Sequence, residues 1–190
     1  MDEKYKQLFY QIAELRRRAE WTYKAQFSQA ECYHNKNNWL NISAIIASGL
    51  SSLFAISNGV GQLCESGSEP WISFVAAGIS AVGTIILACN QNLGYAKKIP
   101  DNVEVGAKVW RIYLDLGSLL TDLHSNKCTY EQAVARREAI LDRWTNLSLT
   151  APLTFGEAIN DADEKLNKRG DNDYSTQELD KSLPDYLRID

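Results

Sequence analysis

The chain has 190 residues, 45% hydrophobic and 23% charged, with a formal net charge of −4. That acidic balance leaves no electrostatic footprint for nucleic acid. Two histidines and four scattered cysteines (Cys32, Cys64, Cys89 and Cys128) argue against a zinc site or a disulfide framework.

Residues 1–38 carry apolar groups at helical spacing: Tyr5, Leu8, Phe9, Ile12, Leu15, Ala19, Tyr23, Phe27 and Ala30. The predicted element is an amphipathic cytoplasmic helix that runs toward the first apolar stretch, with Asn35, Asn37 and Asn38 as the candidate bend. The Arg16–Arg18 run reads as a solvated face or as a grip on anionic lipid or phosphate. No cleavable signal peptide is expected, because this segment is polar and charged throughout.

No charged residue lies between Lys36 and Glu65, or between Glu69 and Lys97. A spanning helix needs about 20 mostly apolar residues to cross roughly 30 Å of hydrocarbon. Residues 39–60 and 71–95 therefore read as a transmembrane hairpin around an extracytoplasmic loop, 61–70. Trp39, Trp71 and Tyr95 sit where interfacial aromatic anchors belong, flanked by Lys36, Lys97 and Lys98. The loop has no Lys or Arg, so the positive-inside bias puts both termini in the cytoplasm of a bacterial inner-membrane protein. The competing reading is the buried centre of a soluble bundle, since five serines weaken the first span.

Each span has a small, polar face. On the first it is Asn41, Ala44, Ser48, Ser51, Ser52 and Ala55. On the second it is Ser73, Ala76, Ala77, Ser80, Thr84, Ala88 and Gln91. Small residues let helix backbones approach, and Ser and Thr bond across helices. Either the two faces meet within one hairpin, or hairpins assemble into a homo-oligomer and the stripe lines a subunit interface or a pore. Neither span holds an ionisable residue, which argues against a proton relay or voltage sensor.

Residues 96–170 read as a cytoplasmic helical region. Pro100 marks a break. A helix over about 102–123 follows, with Val105, Val109, Ile112, Leu116, Leu119 and Leu123 in phase. Thr129-x-x-Gln132 opens another as a capping box, and Ala151-Pro152 stops it. Thr154-x-x-Glu157 starts a third, ending near Gly170. The acidic tail, 171–190, reads as a docked turn opened at Ser175 and a mobile end. Asp115, Asp122, Tyr113 and His124 form at most a chance acid/base grouping, so no catalytic residue, cofactor or metal is expected. His34 reads as an interfacial or capping histidine. The class is an all-α integral membrane protein, a two-helix hairpin with a helical cytoplasmic region built from both ends of the chain.

Three stretches carry a family resemblance: 32–40 (CYHNKNNWL), 111–116 (RIYLDL) and 151–158 (APLTFGEA). Over about residues 5–170 the chain resembles the SLATT family, two-transmembrane effectors associated with SMODS nucleotidyltransferases and SLOG domains. The resemblance implies a bacterial antiphage, abortive-infection system. In it a partner enzyme makes a nucleotide second messenger, and the membrane protein responds by permeabilising the inner membrane. No catalytic or ligand residue carries over. The alternative is a non-conducting, membrane-anchored scaffold that recruits partner proteins.

Overall fold

A computed structural model describes residues 3–63 and 70–167, together with positions 183, 187 and 188. All regular structure among the described residues is helical. The elements are α1 (Glu3–Leu63), α2 (Pro70–Leu93), α3 (Tyr95–His124), α4 (Tyr130–Thr150) and α5 (Gly156–Asn167). They divide between two compact units, one formed by Met1–Glu31 and Pro100–Asp190, the other by Cys32–Ile99. Glu65 and Glu69 of the expected loop, Cys64, the helix end near Gly170 and the Ser175 cap lie outside the described residues.

The first unit is a helical bundle whose core follows from the spacing of its apolar positions. Leu8, Phe9, Ile12, Ala13 and Ala19 of α1 face Val105, Val109, Ile112, Leu116, Leu119, Leu120 and Leu123 of α3, with Ala133 and Ile140 of α4 closing the cluster. These positions recur every three or four residues, so each helix buries one stripe. Two glycines on α3 let α1 come close. A Cβ on Gly106 would stand 3.0 Å from the Phe27 ring, and one on Gly117 would stand 3.3 Å from Arg16 Nε. Arg16 donates to the Tyr113 hydroxyl and lies over the Tyr113 ring, 4.2 Å from its centroid.

The turn between α3 and α4 uses Asn126 at φ +53°, a left-handed conformation that asparagine tolerates better than most residues. Thr129 then caps α4 as its sequence predicts. Its hydroxyl accepts from the Gln132 N–H at 3.3 Å, and its own N–H donates to Gln132 Oε1 at 3.1 Å. The Tyr130 N–H donates to the Tyr5 hydroxyl at 3.0 Å, tying α4 to the start of α1.

Three elements differ from the sequence reading. Helical structure continues through Asn35–Asn38, with no interruption at the candidate bend. The break expected at Pro100 falls instead at Gly94, which takes φ +61°. Only glycine enters that region without a Cβ penalty. The Gly94 N–H donates to the Asn90 carbonyl at 3.2 Å, and the Gly94 carbonyl accepts from Lys97 and Lys98 as α3 begins. Pro100 then sits inside α3, where it removes a single hydrogen bond, to the Ala96 carbonyl. The tail is docked as expected, but the contact extends into the end read as mobile. Leu183 and Leu187, four residues apart in a polar stretch, are both buried in the core of the first unit.

Leu119 is fully buried and Thr129 lies on the surface of its helix start. Leu119→Ala is expected to destabilise the first unit by about 2–5 kcal/mol, and Thr129→Ala by about 1 kcal/mol. Thermal unfolding followed by circular dichroism checks both the magnitudes and their order.

Candidate functional site

The second unit is an antiparallel pair made by the latter part of α1 and by α2. Its seam repeats every seven residues. On α2 the half-buried Ile72, Ile79 and Ile86 alternate with Ala76, Gly83 and Asn90. On α1, Asn37, Ala44 and Ser51 alternate with Leu40, Ala47 and Phe54. Small or polar side chains from both helices meet along this seam, at the seven-residue spacing of a coiled coil.

Three contacts fix the register. A Cβ placed on Gly83 would lie 3.2 Å from the Ala47 Cβ, so only glycine admits this approach without adjustment. Ser51 Oγ donates across the seam to the Ala76 carbonyl at 3.1 Å. Asn90 Nδ2 donates to Asn41 Oδ1 at 2.8 Å and to Asn37 Oδ1 at 3.2 Å. In a low-dielectric surrounding such polar contacts have no water to compete with them.

Where the seam ends, Tyr33 stacks on Tyr95 with centroids 5.5 Å apart, and Lys98 Nζ lies 5.6 Å and 5.9 Å from the two ring centres. Burial, reinforced by Tyr95, pushes the Tyr33 hydroxyl above the ordinary tyrosine range, with Lys36 opposing. His34 and Asn38 hydrogen-bond through their side chains at 2.9 Å.

The sequence-predicted face residues part company here. Asn41, Ala44 and Ser51 of α1 enter the seam, while Ser48, Ser52 and Ala55 lie exposed beside it. On α2, Ala76 enters the seam, while Ser73, Ala77, Ser80, Thr84, Ala88 and Gln91 are all exposed, roughly a third of a turn from it. The Ser48, Ser52 and Thr84 hydroxyls donate to their own helix four residues back, at 2.9, 2.9 and 3.0 Å. Of the anchors, Trp39, Trp71, Lys36, Lys97 and Lys98 are exposed, while Tyr95 packs on Tyr33.

Reading by residue type missed Gly83 and Asn90. The seven-residue interval Ala76–Gly83–Asn90 is the signal that finds them. Also missed were Gln26 and Gln29, buried in the first unit. Gln26 Nε2 donates to the Pro152 carbonyl at 3.3 Å, and Gln29 Oε1 accepts from the Phe155 N–H at 2.8 Å.

The chance acid/base grouping is occupied by other work. Asp115 meets Arg143 at 2.8 Å and Arg111 at 3.4 Å, Asp122 meets Arg136 at 2.7 Å, and Tyr113 takes its bond from Arg16.

Most telling is what surrounds the hairpin. In the most apolar 18-residue stretch of each candidate span, only 6% is buried within the chain. Ile42, Ile45, Ile46, Leu50, Leu53 and Ile56 on α1, with Phe74, Val82, Ile85 and Leu87 on α2, all face outward. Two helices, paired along a narrow seam and bare elsewhere, are long and apolar enough to cross a membrane, and every regular element among the described residues is helical. The chain belongs to SMODS and SLOG-associating 2TM effector domain family 4, whose model matches residues 8–178. Its members are two-transmembrane effector domains associated with SMODS and SLOG defence systems. No curated protein and no solved structure gives a significant match.

Gly83→Leu is expected to force the seam apart at a cost of about 1–3 kcal/mol. Asn90→Ala leaves two asparagine acceptors without their donor, at about 1–2 kcal/mol. Thermal denaturation of the detergent-solubilised protein, variant against wild type, measures both. Because the raised hydroxyl of Tyr33 favours its neutral form, the stacked pair contributes in full below pH 10 and is lost as the pH climbs through the folded-state value. Tyrosine absorbance followed up an alkaline titration should show Tyr33 ionising after the bulk of the tyrosines, and Tyr33→Phe should abolish that late phase.

Proposed function

We propose that this protein is an inner-membrane effector that assembles through the uncovered face of α2 and permeabilises the bilayer. In this reading both termini are cytoplasmic, and the activating event is a nucleotide signal made by a partner enzyme during phage infection. The observation that carries it is the stripe Ser73, Ala77, Ser80, Thr84, Ala88 and Gln91. The hairpin's own seam does not use it, and it is too polar and too small-sided to be an ordinary lipid-facing surface. A neighbouring copy can bring a helix close to it.

The charge distribution supports the orientation, with Lys36, Lys97 and Lys98 flanking the spans and no basic residue from 61 to 70. Residues 39–60 and 71–95 are then the spans, 61–70 the outer loop, and 1–38 with 96–170 the cytoplasmic part. A signal opens such an assembly only by binding the open arrangement better than the closed one.

A second reading has its own support. Ser48, Ser52 and Thr84 spend their hydroxyl protons on their own helix. A stripe satisfied in that way serves equally as a dry contact in a non-conducting scaffold that recruits partner proteins.

The two readings separate in cells and in vesicles. Co-expression with the signal-producing enzyme of the same system should depolarise the inner membrane, reported by a potential-sensitive dye. Ser80→Leu with Thr84→Leu should abolish both the depolarisation and the oligomer seen in detergent. Ser48→Leu with Ser52→Leu should do so if the α1 flank shares the interface. A scaffold leaves the dye undisturbed under every stimulus, and a wild-type protein that does so overturns the effector reading.

A further inference from the structure

The first unit carries an exposed apolar segment that its own fold prevents from turning inward. No residue from 144 to 156 is charged. Within that run Leu149 and Leu153 are each 80% exposed and Phe155 is 57% exposed. The backbone beneath them is pinned by Gln26 and Gln29, both buried, through the Pro152 carbonyl and the Phe155 N–H. Ser28, between them, donates to the Asp161 carboxylate of α5. Burying an amide costs unless it is hydrogen-bonded; this segment satisfies Gln26 Nε2 and Gln29 Oε1, while Gln26 Oε1 stays buried without a partner among the described residues, and the clamp presents the apolar side chains outward.

The segment adjoins a cationic rim. Lys108, Arg111 and Arg143 surround a depression of about 250 Å³ whose floor is Ile112 and Leu147. Two carboxylates accompany the three cations: Glu104 beside Lys108, and Asp115 beside both arginines. One positive charge is left over. Outward leucine and phenylalanine with lysine and arginine nearby are a combination that the headgroup layer of an anionic bilayer accommodates.

The chain passes into the hairpin unit after Glu31, only eight residues before Trp39, so a bilayer holding the hairpin is within covalent reach.

We propose that residues 149–155 dip into the headgroup layer of that bilayer, with Lys108, Arg111 and Arg143 engaging acidic phospholipid phosphates. The proposal rests on the membrane reading of the hairpin, and its test separates the two. Full-length protein with Cys32, Cys64, Cys89 and Cys128 replaced carries an environment-sensitive fluorophore on Leu153→Cys or, as reference, on Ile45→Cys. It is reconstituted in phosphatidylcholine vesicles, with or without phosphatidylglycerol, whose acyl chains are plain or brominated.

The expected result is a blue-shifted emission quenched by bromine at both positions, deeper at 153 when phosphatidylglycerol is present. Lys108→Gln and Arg111→Gln are each expected to lower the immersed-to-dissolved ratio at 153 by about fivefold. Quenching at 45 with water-like emission at 153 overturns the proposal and leaves the hairpin reading standing. So does a blue shift at 153 without quenching, which means that protein covers the segment. Failure at both positions removes the membrane reading, and this proposal with it.

Discussion

The structure depends on one mismatch, between the apolar surface of α1 and α2 and the small fraction of it that the chain covers. A large aliphatic side chain left in water forgoes about 1.5–3 kcal/mol. The ten outward Ile, Leu, Val and Phe residues of the hairpin would together outweigh the 5–15 kcal/mol that holds a typical domain folded. Among the described residues little covers that surface, because the seam is only one narrow stripe wide. An apolar solvent relieves the penalty, and a bilayer accepts both helices because helical backbones satisfy their own polar groups.

Once lipid is the solvent, the hydrophobic effect no longer holds the two helices together, and the seam must do so by contact. That explains its composition. Gly83 against Ala47 brings the backbones close, Ile72, Ile79 and Ile86 are half-buried along the same stripe, and Asn37, Asn41 and Asn90 hydrogen-bond where water is scarce. The first unit obeys the opposite rule. Phe9, Ile12, Leu116, Leu119 and Leu120 are removed from solvent, and its surface is laced with ion pairs such as Arg136–Asp122. Such exposed pairs contribute little each, so burial is what makes that unit fold.

Much of this was legible in the sequence. Periodicity alone places Val105 through Leu123 on one buried face, and the Thr129–Gln132 box starts its helix as written. The uncharged stretches are read directly from the spacing of Lys36, Glu65, Glu69 and Lys97. The face of the hairpin was less legible. Sorting by residue type groups Ser80 and Thr84 with Ala76, whereas packing groups Ala76 with Gly83, Asn90 and three isoleucines. Which stripe meets a partner cannot be seen in one helix at a time. Pro100 misled because a proline early in a long helix costs a single hydrogen bond, while Gly94 alone carries the left-handed turn. The buried Gln26 and Gln29 left no local signal, since their partners lie more than a hundred residues away.

The central claim is that lipid surrounds the hairpin of the intact protein. Its most direct test is fractionation of cells expressing the full chain, with the membranes washed in alkaline carbonate. The account predicts that the protein stays in the washed membrane pellet and leaves it only with detergent. Recovery of folded protein in the aqueous supernatant would contradict it.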